Sequence, residues 1–342
     1  MALGLIRNLD RALVAGAGGY TTRAELISDA VRDRLLELEF EPAPPEPSES
    51  SSRAAPPPDR RPALNVVQPA DEPRNEPSDL KLDDTVLTAP APGFSLAGNA
   101  IVQDAPLFGL HNRDFASLWA LSELAAVTAE KAEPLASALD RVTDRAWEFS
   151  ARLRPFDVGA ELKLTSLFPT NRTKAQSASG QFRAFAIGTV RQTEGQLYAD
   201  GPLFVWRALQ VQETDGVVGI GLTDPGWELL GIIDGISLRL PHGFDLTKRF
   251  LDYLATHAPA DLEAFVVGLR SAGERMQRGQ LIEAYRAAYP TWTDTQASTN
   301  AAGYVARGRE WGLIAPRLVD RRYQLTADGE KWMAEHGGGT TR

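Results

Sequence analysis

Apolar positions recur at helical spacing twice within the first 40 residues of the chain. One run extends from Leu5 to Val14, and a longer run, with charged residues between its apolar positions, extends from Leu26 to Leu38; this spacing predicts two amphipathic helices. Thr22 and Glu25 have the spacing of a capping box, so we expect the second helix to begin at Thr22. Helices this short bury too little surface to be stable alone, and a dimer that shares both apolar stripes is therefore expected. Its interface would contain Leu9, Leu13, Leu26, Ile27, Ala30, Val31 and Leu35.

The next segment, from residue 41 to residue 100, shows no such period. It is rich in Pro, Ser, Glu and Ala, a composition that cannot bury a core and that predicts a disordered linker. Two apolar islands, Leu64–Val67 and Leu80–Leu87, interrupt it. Either these islands dock on a protein partner or they are merely tolerated in an extended chain.

Helical spacing returns from about Asn112, in two runs separated by residues 131–134. The first run begins at Phe115, and the second follows Pro134, which is tolerated in the first turn of a helix. The two runs predict a helical hairpin within residues 101–154, with Trp119 and Trp147 in its core.

The ending GLTDPGWELL at residues 221–230 returns as QLTADGEKWM at residues 324–333. In each copy, Thr would cap a closing helix and Gly would permit close packing against the strand before it. Upstream of the first ending we expect a short helix over Gly201–Gln210 and a returning strand over Val217–Leu222. The basic segment before that helix contains Arg172, Lys174 and Arg183. It is interpreted as a loop that either contacts a DNA backbone or a partner or is only solvated.

The second copy shows more of its helices in the pattern. Leu262–Leu269 and Gln280–Tyr289 predict two helices, and Thr293 or Asp294 would cap a third that ends near Trp311. The predicted buried side of this third helix consists of Ala297, Ala301, Tyr304, Val305 and Trp311. Its predicted exposed side consists of Thr295, Gln296, Ser298, Thr299, Asn300, Arg307 and Arg309, and the turn after it adds Arg317, Arg321 and Arg322. Short polar side chains suit base edges and arginines suit phosphates, so the residues of this exposed side and turn are candidate DNA contacts.

Residues 19–34 resemble the second half of a ribbon-helix-helix DNA-binding module. The pattern G-Y-x-[ST]-R-x-E-h-I-x-x-A-h-R is met at Gly19, Tyr20, Thr22, Arg23, Glu25, Ile27, Ala30 and Arg32. That family reads DNA with a strand before its first helix, whereas here only Met1 to Gly4 precede the helix, and a start codon further upstream would be needed to supply the strand. The resemblance therefore implies a dimerising head with phosphate contact by the backbone amides of Thr22 and Arg23 at a helix N-terminus. The alternative is a helical hairpin that dimerises without touching DNA.

The duplicated endings resemble the point in winged-helix regulators where the wing strand meets the last helix. This resemblance covers residues 155–235 and 262–336 and implies two winged-helix-like domains. The predicted fold class is therefore mainly α with small β wings. Its domains are the ribbon-helix-helix-like head at residues 1–40, the linker at 41–100, the helical hairpin at 101–154, and winged-helix-like domains at 155–240 and 241–342.

Composition narrows the function classes. The formal net charge of −9 at pH 7 opposes DNA binding, but the acidic excess lies in the linker and the middle, and residues 263–342 carry 11 basic and 9 acidic groups. The chain has no Cys and four His without ligand spacing, and it lacks the common motifs of nucleotide-binding and hydrolytic enzymes. We therefore expect no metal, no cofactor and no catalysis. No apolar run reaches the length of a membrane span and no signal peptide is evident, so a cytoplasmic protein without membrane contact is expected.

These patterns predict a dimeric DNA-binding protein, a transcriptional regulator that reads double-stranded DNA mainly through its C-terminal winged helix. Its partners would be duplex DNA and a second copy of the chain. The alternative is a non-enzymatic adaptor or scaffold subunit that uses its winged helices for protein contacts. The almost wholly apolar Pro202–Leu209 and the acidic turn at residues 213–216 favour this alternative, in which protein partners would bind the linker or the first winged-helix-like domain.

Overall fold

Residues 80–336 are described by the computed structural model of the protein, and helices predominate in them. The predicted fold class, mainly α with small β elements, is confirmed for this part of the chain. The predicted head, with its dimerisation residues from Leu9 to Leu35 and the helix start at Thr22 and Arg23, lies outside the described residues, as does the apolar island Leu64–Val67.

The α-helices and strands of the described part are numbered in chain order. The helices are α1 (Asp114–Thr128), α2 (Leu135–Leu153), α3 (Ala175–Phe182), α4 (Pro202–Val205), α5 (Asp224–Ile233), α6 (Phe244–His257), α7 (Pro259–Gly273), α8 (Arg278–Ala288), α9 (Asp294–Glu310) and α10 (Ala327–His336). The strands are β1 (Ile101–Val102), β2 (Glu133–Pro134), β3 (Thr189–Thr193), β4 (Gln196–Asp200), β5 (Leu209–Thr214) and β6 (Val217–Leu222). They form two three-stranded sheets, ordered β1-β4-β3 and β2-β6-β5.

Residues 80–100, which the sequence analysis includes in the linker, pack on the rest of the unit. Leu87 is buried, and the amides of Val86 and Leu87 both donate to the carbonyl of Ile236. Leu96 is also buried, and its amide donates to the carbonyl of Leu222 over 2.6 Å. The apolar island Leu80–Leu87 therefore contacts its own chain through Leu87, which is buried, and Leu80, which packs on the core, whereas Leu82 between them is exposed.

The first half of the described chain, from residue 80 to the end of α5, contains the predicted helical hairpin, formed by α1 and α2 with the short strand β2 between them. Trp119 and Trp147 are buried, as predicted, and Trp119 stacks on Phe149 with 5.1 Å between ring centroids. Elements then follow in the order α3, β5, β6 and α5, with the β3–β4 hairpin and the one-turn helix α4 placed between α3 and β5.

Two predictions for the first half are wrong. The segment from Arg172 to Arg183, interpreted as a loop, is helical: a 3-10 turn leads into α3, and a π-helical turn, Arg183–Ile187, continues it. Its small polar residues hid the helix, since its buried side chains lie only towards its end. The helix predicted over Gly201–Gln210 is only α4, because the chain turns and β5 begins at Leu209.

The β3–β4 hairpin begins after Gly188, at the end of the helical segment that starts with α3, and ends before Gly201, where α4 follows. A Cβ atom on Gly201 would lie 2.4 Å from the Cα of Gly188, and the two glycines have φ values of 103° and 138°. Only glycine fits such an approach at such angles. The hairpin is therefore an insertion between α3 and α4, and its two ends lie against each other at Gly188 and Gly201.

The second half, from α7 to α10, contains the three helices α7, α8 and α9, followed by a short hairpin and α10. Thr293 caps α9 in a capping box with Gln296, and Gln277 caps α8 in the same way with Gln280. The hairpin is closed by antiparallel bridges between Ile314 and Leu325 and between Val319 and Arg322. We call residues 315–323 the wing.

The two endings predicted from the repeated motif have the same local structure. Thr223 and Thr326 each accept a hydrogen bond from the amide three residues later, that of Gly226 or Gly329, over 3.0 Å. The amide of each Thr donates to the strand residue opposite, Ala208 or Leu313. A Cβ atom on either glycine would lie 2.1 Å from the carbonyl oxygen of that strand residue, which explains why glycine stands at both positions.

The equivalence extends upstream to two buried tryptophans, Trp206 and Trp311. Each amide donates to the carbonyl four residues earlier, and each tryptophan is followed by a residue with positive φ, Arg207 at 59° or Gly312 at 69°. Phe250 of α6 lies between the two indoles, stacked on Trp311 at 4.3 Å and edge-on to Trp206 at 5.5 Å. One hydrophobic core therefore runs through both halves.

Candidate nucleic-acid interface

The side of α9 that faces solvent carries four of the predicted contacts. Thr295 is exposed, and Ser298, Thr299 and Arg309 are half-buried on the same side of the helix. The Thr299 hydroxyl donates to the carbonyl of Thr295 over 2.8 Å. Gln296 is exposed too, but its side-chain oxygen accepts the Thr293 amide in the capping box, so part of its hydrogen-bonding capacity serves the helix start.

Asn300 does not lie on the exposed side, and the prediction that it does is wrong. It is buried, and its Oδ1 accepts the amide of Gly109 over 2.7 Å. A Cβ atom on Gly109 would lie 2.1 Å from the carbonyl oxygen of Thr299. The segment that precedes α1 therefore covers α9 along the turn that contains Asn300.

Arg307 is also buried, at 1% exposure, so its predicted contact with phosphate is wrong. Its Nη1 and Nη2 donate to the two carboxylate oxygens of Asp261 over 2.8 and 2.9 Å, and its Nε lies 2.8 Å from Asp114 Oδ1. Both carboxylates are fully buried. Burial opposes the charge of Arg307, but the two carboxylates outweigh it and raise the pKa of the guanidinium well above its usual value.

The two carboxylates that hold Arg307 have further donors. Asp261 accepts the Trp206 indole over 3.0 Å and the Tyr304 hydroxyl over 2.7 Å. Asp114 accepts the Trp311 indole over 2.6 Å and lies 2.7 Å from His111 Nε2. We call these residues, with Arg307, the buried ionic network.

Asp114 is ionised in this network. Burial alone would raise its pKa, but Arg307, His111 and Trp311 outweigh burial and lower it to about 2. The two equivalent tryptophans each donate to one carboxylate of the network. The network therefore ties α9 to α1 and α7.

Glu310, the last residue of α9, caps α1 from outside that helix. Its two carboxylate oxygens accept the amides of Asp114 and Phe115 over 2.7 and 2.8 Å, which are the amides that a helix start leaves without an internal partner. Burial, together with the neighbouring charge of Asp114, raises the pKa of Glu310 to about 7. Glu310 thus has a structural role, since both of its carboxylate oxygens serve the start of α1.

The wing exposes two of its three arginines, Arg317 and Arg321. Arg317 is 75% exposed and forms an ion pair of 2.6 Å with Glu161. Arg321 is exposed at the tip, where it and Asp320 have φ values of 60° and 52° between the mutually bonded Val319 and Arg322. Arg322 is half-buried. Two positive φ values are typical of a tight hairpin turn.

Two apolar side chains beside α9 were not anticipated from the sequence. Phe108 and Leu110, on either side of the buried Gly109, are 49% and 45% exposed. They lie in the segment that covers α9, and no periodic pattern marks them because that segment is irregular.

Comparisons of the chain with protein-family models, with curated proteins and with solved structures find no match. Among residues 80–336, no helix has the length and apolar character needed to cross a bilayer. Within the same range, no group of three or more His, Asp or Glu side chains is arranged to hold a metal ion.

Proposed function

We propose that the chain is a dimeric, non-catalytic DNA-binding protein, a cytoplasmic transcriptional regulator whose body consists of two winged-helix domains. The order of elements supports this fold. In the first half, α1, β2, α2, α3 and the β5–β6 hairpin follow in this order, with the β3–β4 hairpin and α4 inserted before β5, and β2 pairs with β6. In the second half, three helices precede the wing, and Tyr323 of the wing donates to the carbonyl of Met276, between the first two helices.

The observation that carries the DNA-binding proposal is the exposed wing beside the polar side of α9. The wing carries three arginines and one aspartate, and cations on an exposed hairpin can contact phosphates with little desolvation. The proposed contacts are Thr295, Ser298, Thr299 and Arg309 on the helix and Arg317, Arg321 and Arg322 on the wing. Asn300 and Arg307 are excluded, because both are buried.

The predicted head would supply the dimer contact. Two copies of the body would then bind a repeated or palindromic site, since a twofold dimer places two equivalent helices on two half-sites. The dimer and the proposed regulatory role rest on the N-terminal sequence pattern, whose residues lie outside those described.

The test is a selection of bound fragments from randomised duplex DNA with the full chain, followed by affinity measurements on the enriched site at several salt concentrations. Arg317→Gln combined with Arg321→Gln should make the slope of log affinity against log salt less negative by about 1.8, because each phosphate contact contributes about −0.9. Arg141→Gln combined with Arg145→Gln, on the exposed side of α2, is the matched control and should leave the slope unchanged. Recovery of no enriched sequence, with no binding to any duplex at low salt, would reject the proposal.

The adaptor alternative is favoured by one specific observation, the exposed pair Phe108 and Leu110 next to α9. Exposed apolar side chains held on a rigid element suit a protein partner better than a phosphate backbone. If the function is that of an adaptor, Phe108→Ser combined with Leu110→Ser should abolish capture of a specific partner. The wing variant should then leave that capture unchanged.

A further inference from the structure

The most basic stretch of the described chain lies outside the proposed wing and α9 contacts. Residues 151–187 carry six Lys and Arg and two Asp and Glu, whereas the whole chain has a formal net charge of −9. Such a local excess in an acidic protein marks a surface suited to a polyanion.

The structure brings part of this stretch together in space. Arg154, at the end of α2, donates a hydrogen bond to the carbonyl of Thr170, two residues before Arg172. The guanidinium of Arg172 lies over the ring of Trp147, 4.3 Å from its centroid. Arg154 and Arg172 are both exposed, so the end of α2 and the start of the α3 helical segment share one basic surface.

The two acidic residues leave this stretch with an excess of four positive charges. The side chain of Asp157 accepts the amides of Leu164 and Thr165, which holds the loop that contains Lys163 close to the end of α2. Lys163, in that loop, is exposed. We call Arg154, Lys163 and Arg172 the basic surface.

The basic surface is connected to the wing through the second acidic residue, Glu161. Its carboxylate lies 2.6 Å from Nε of Arg317, and both side chains are solvent-exposed, at 43% and 75%. Exposed ion pairs of this kind contribute little to stability, so a phosphate can replace Glu161 as the partner of Arg317 at little cost. The loop that carries Lys163 therefore adjoins the wing.

We infer that the basic surface is a second DNA contact, which holds the phosphate backbone of the same duplex that the wing contacts. This inference rests on the proposed function. A duplex carries one negative charge per about 1.7 Å of its axis, so a cationic surface beside the wing meets further phosphates without any base-specific contact. The first half would thus contribute affinity for duplex DNA, in part through the helical segment that begins at Arg172 and that the sequence pattern indicated to be a loop. The acidic residues 213–216 would take no part.

The test compares two double variants of the full chain on one duplex that contains the selected site. Arg154→Gln with Arg172→Gln should make the slope of log affinity against log salt less negative by about 1.8 and weaken binding on the order of tenfold at low salt, equally for specific and nonspecific sequences. The control is again Arg141→Gln with Arg145→Gln, which removes two arginines from the other side of α2 and should change neither quantity. Near-ultraviolet circular dichroism checks that the Trp147 environment is retained.

Lys163→Gln provides a second variant that leaves the Trp147 contact intact. It should make the slope of log affinity against log salt less negative by about 0.9. If the wild-type chain binds DNA and the wing variant weakens it, while neither Lys163→Gln nor the Arg154 and Arg172 variant changes the slope, this inference is overturned and the proposed function stands. If the wild-type chain binds no duplex at low salt, both fail. If the Arg154 and Arg172 variant loses affinity for a heparin fragment but not for duplex DNA, the inference is also overturned.

Discussion

Replacement of Arg307 by methionine should lower the free energy of unfolding at neutral pH by about 3–5 kcal/mol, because it removes the guanidinium that lies between two buried carboxylates of the network. Arg307 donates to both oxygens of Asp261 and contacts Asp114, and both carboxylates are fully buried. Without Arg307, the two carboxylates keep their hydrogen bonds to the indoles and to Tyr304 but lose the guanidinium that lies between them. The magnitude is that of a broken buried ion pair, well above the loss of one hydrogen bond.

The sign of the pH dependence distinguishes this explanation from a simple packing defect. In the wild-type chain, the pKa of Asp114 is lowered to about 2. Its contribution to stability is therefore fully present above the unfolded value of about 3.9 and is lost as the pH falls towards 2. In the variant, that pKa should rise, so the difference in stability between the two proteins should shrink as the pH is lowered from 7.5 to 4.

Urea denaturation of the full chain at both pH values measures this difference. Arg286→Met is the matched control, because Arg286 is partly exposed and pairs with Glu283 and Asp294 at the surface; it should cost less than about 1 kcal/mol. If Arg307→Met were as mild as this control at pH 7.5, or if its cost were the same at both pH values, the assignment of Arg307 to the buried ionic network as a charge-balancing group would be refuted.

Three further predictions concern local features. Because the pKa of Glu310 is raised to about 7, its contribution to stability is present below pH 4.5 and is lost as the pH rises through 7; Glu310→Gln should flatten that part of the stability curve, and an unchanged curve would contradict the shift. Gly226→Ala and Gly329→Ala should each destabilise by about 1–3 kcal/mol in thermal melts, since each new Cβ would lie 2.1 Å from a carbonyl oxygen, and a cost at only one site would argue against their equivalence. Thr223→Ala and Thr326→Ala should each cost about 1 kcal/mol through the lost cap, and faster hydrogen exchange of the Gly226 or Gly329 amide would localise the effect.

The features that the sequence predicted best are those held by neighbours in the chain. The strand Val217–Leu222 has the predicted bounds, and the cap of α9, predicted at Thr293 or Asp294, is Thr293; each depends on residues a few positions apart. The repeated ending is similar, since its cap joins Thr to Gly three residues later. Short-range hydrogen bonds leave a readable pattern, because each requires particular residue types at fixed spacing.

The errors arose where a residue of α9 has a partner far along the chain. Arg307 lies on what looks from the sequence like the polar side of the helix, but its partner Asp114 is 193 residues away. Asn300 accepts from Gly109, 191 residues away. Helical periodicity separates polar from apolar positions, but it cannot distinguish a polar residue that meets water from one that meets a distant carboxylate.

The helix interrupted by the β3–β4 hairpin shows a second limit. The third helix of the first half was sought immediately before β5, where only α4 is found, because the hairpin separates α4 from α3. Gly188 and Gly201 mark the two ends of the inserted hairpin, but two isolated glycines in a sequence do not predict an insertion. Part of the basic surface is marked in the sequence, since Arg172 lies in the basic segment for which contact with a DNA backbone is one interpretation, but the sequence pattern does not show that Arg154, at the end of α2, lies beside it.

The buried ionic network bears on how the two proposed DNA contacts would cooperate. Phe250 and the network join both halves in one compact unit, so the wing and the basic surface are held on a single body. Contacts on a rigid body do not require ordering of a connecting chain when the second one forms. Weakening the network should therefore reduce affinity for long duplexes even though no residue of the network touches DNA. A short duplex that reaches only the wing should be bound with little change, which separates this coupling from a general loss of folding.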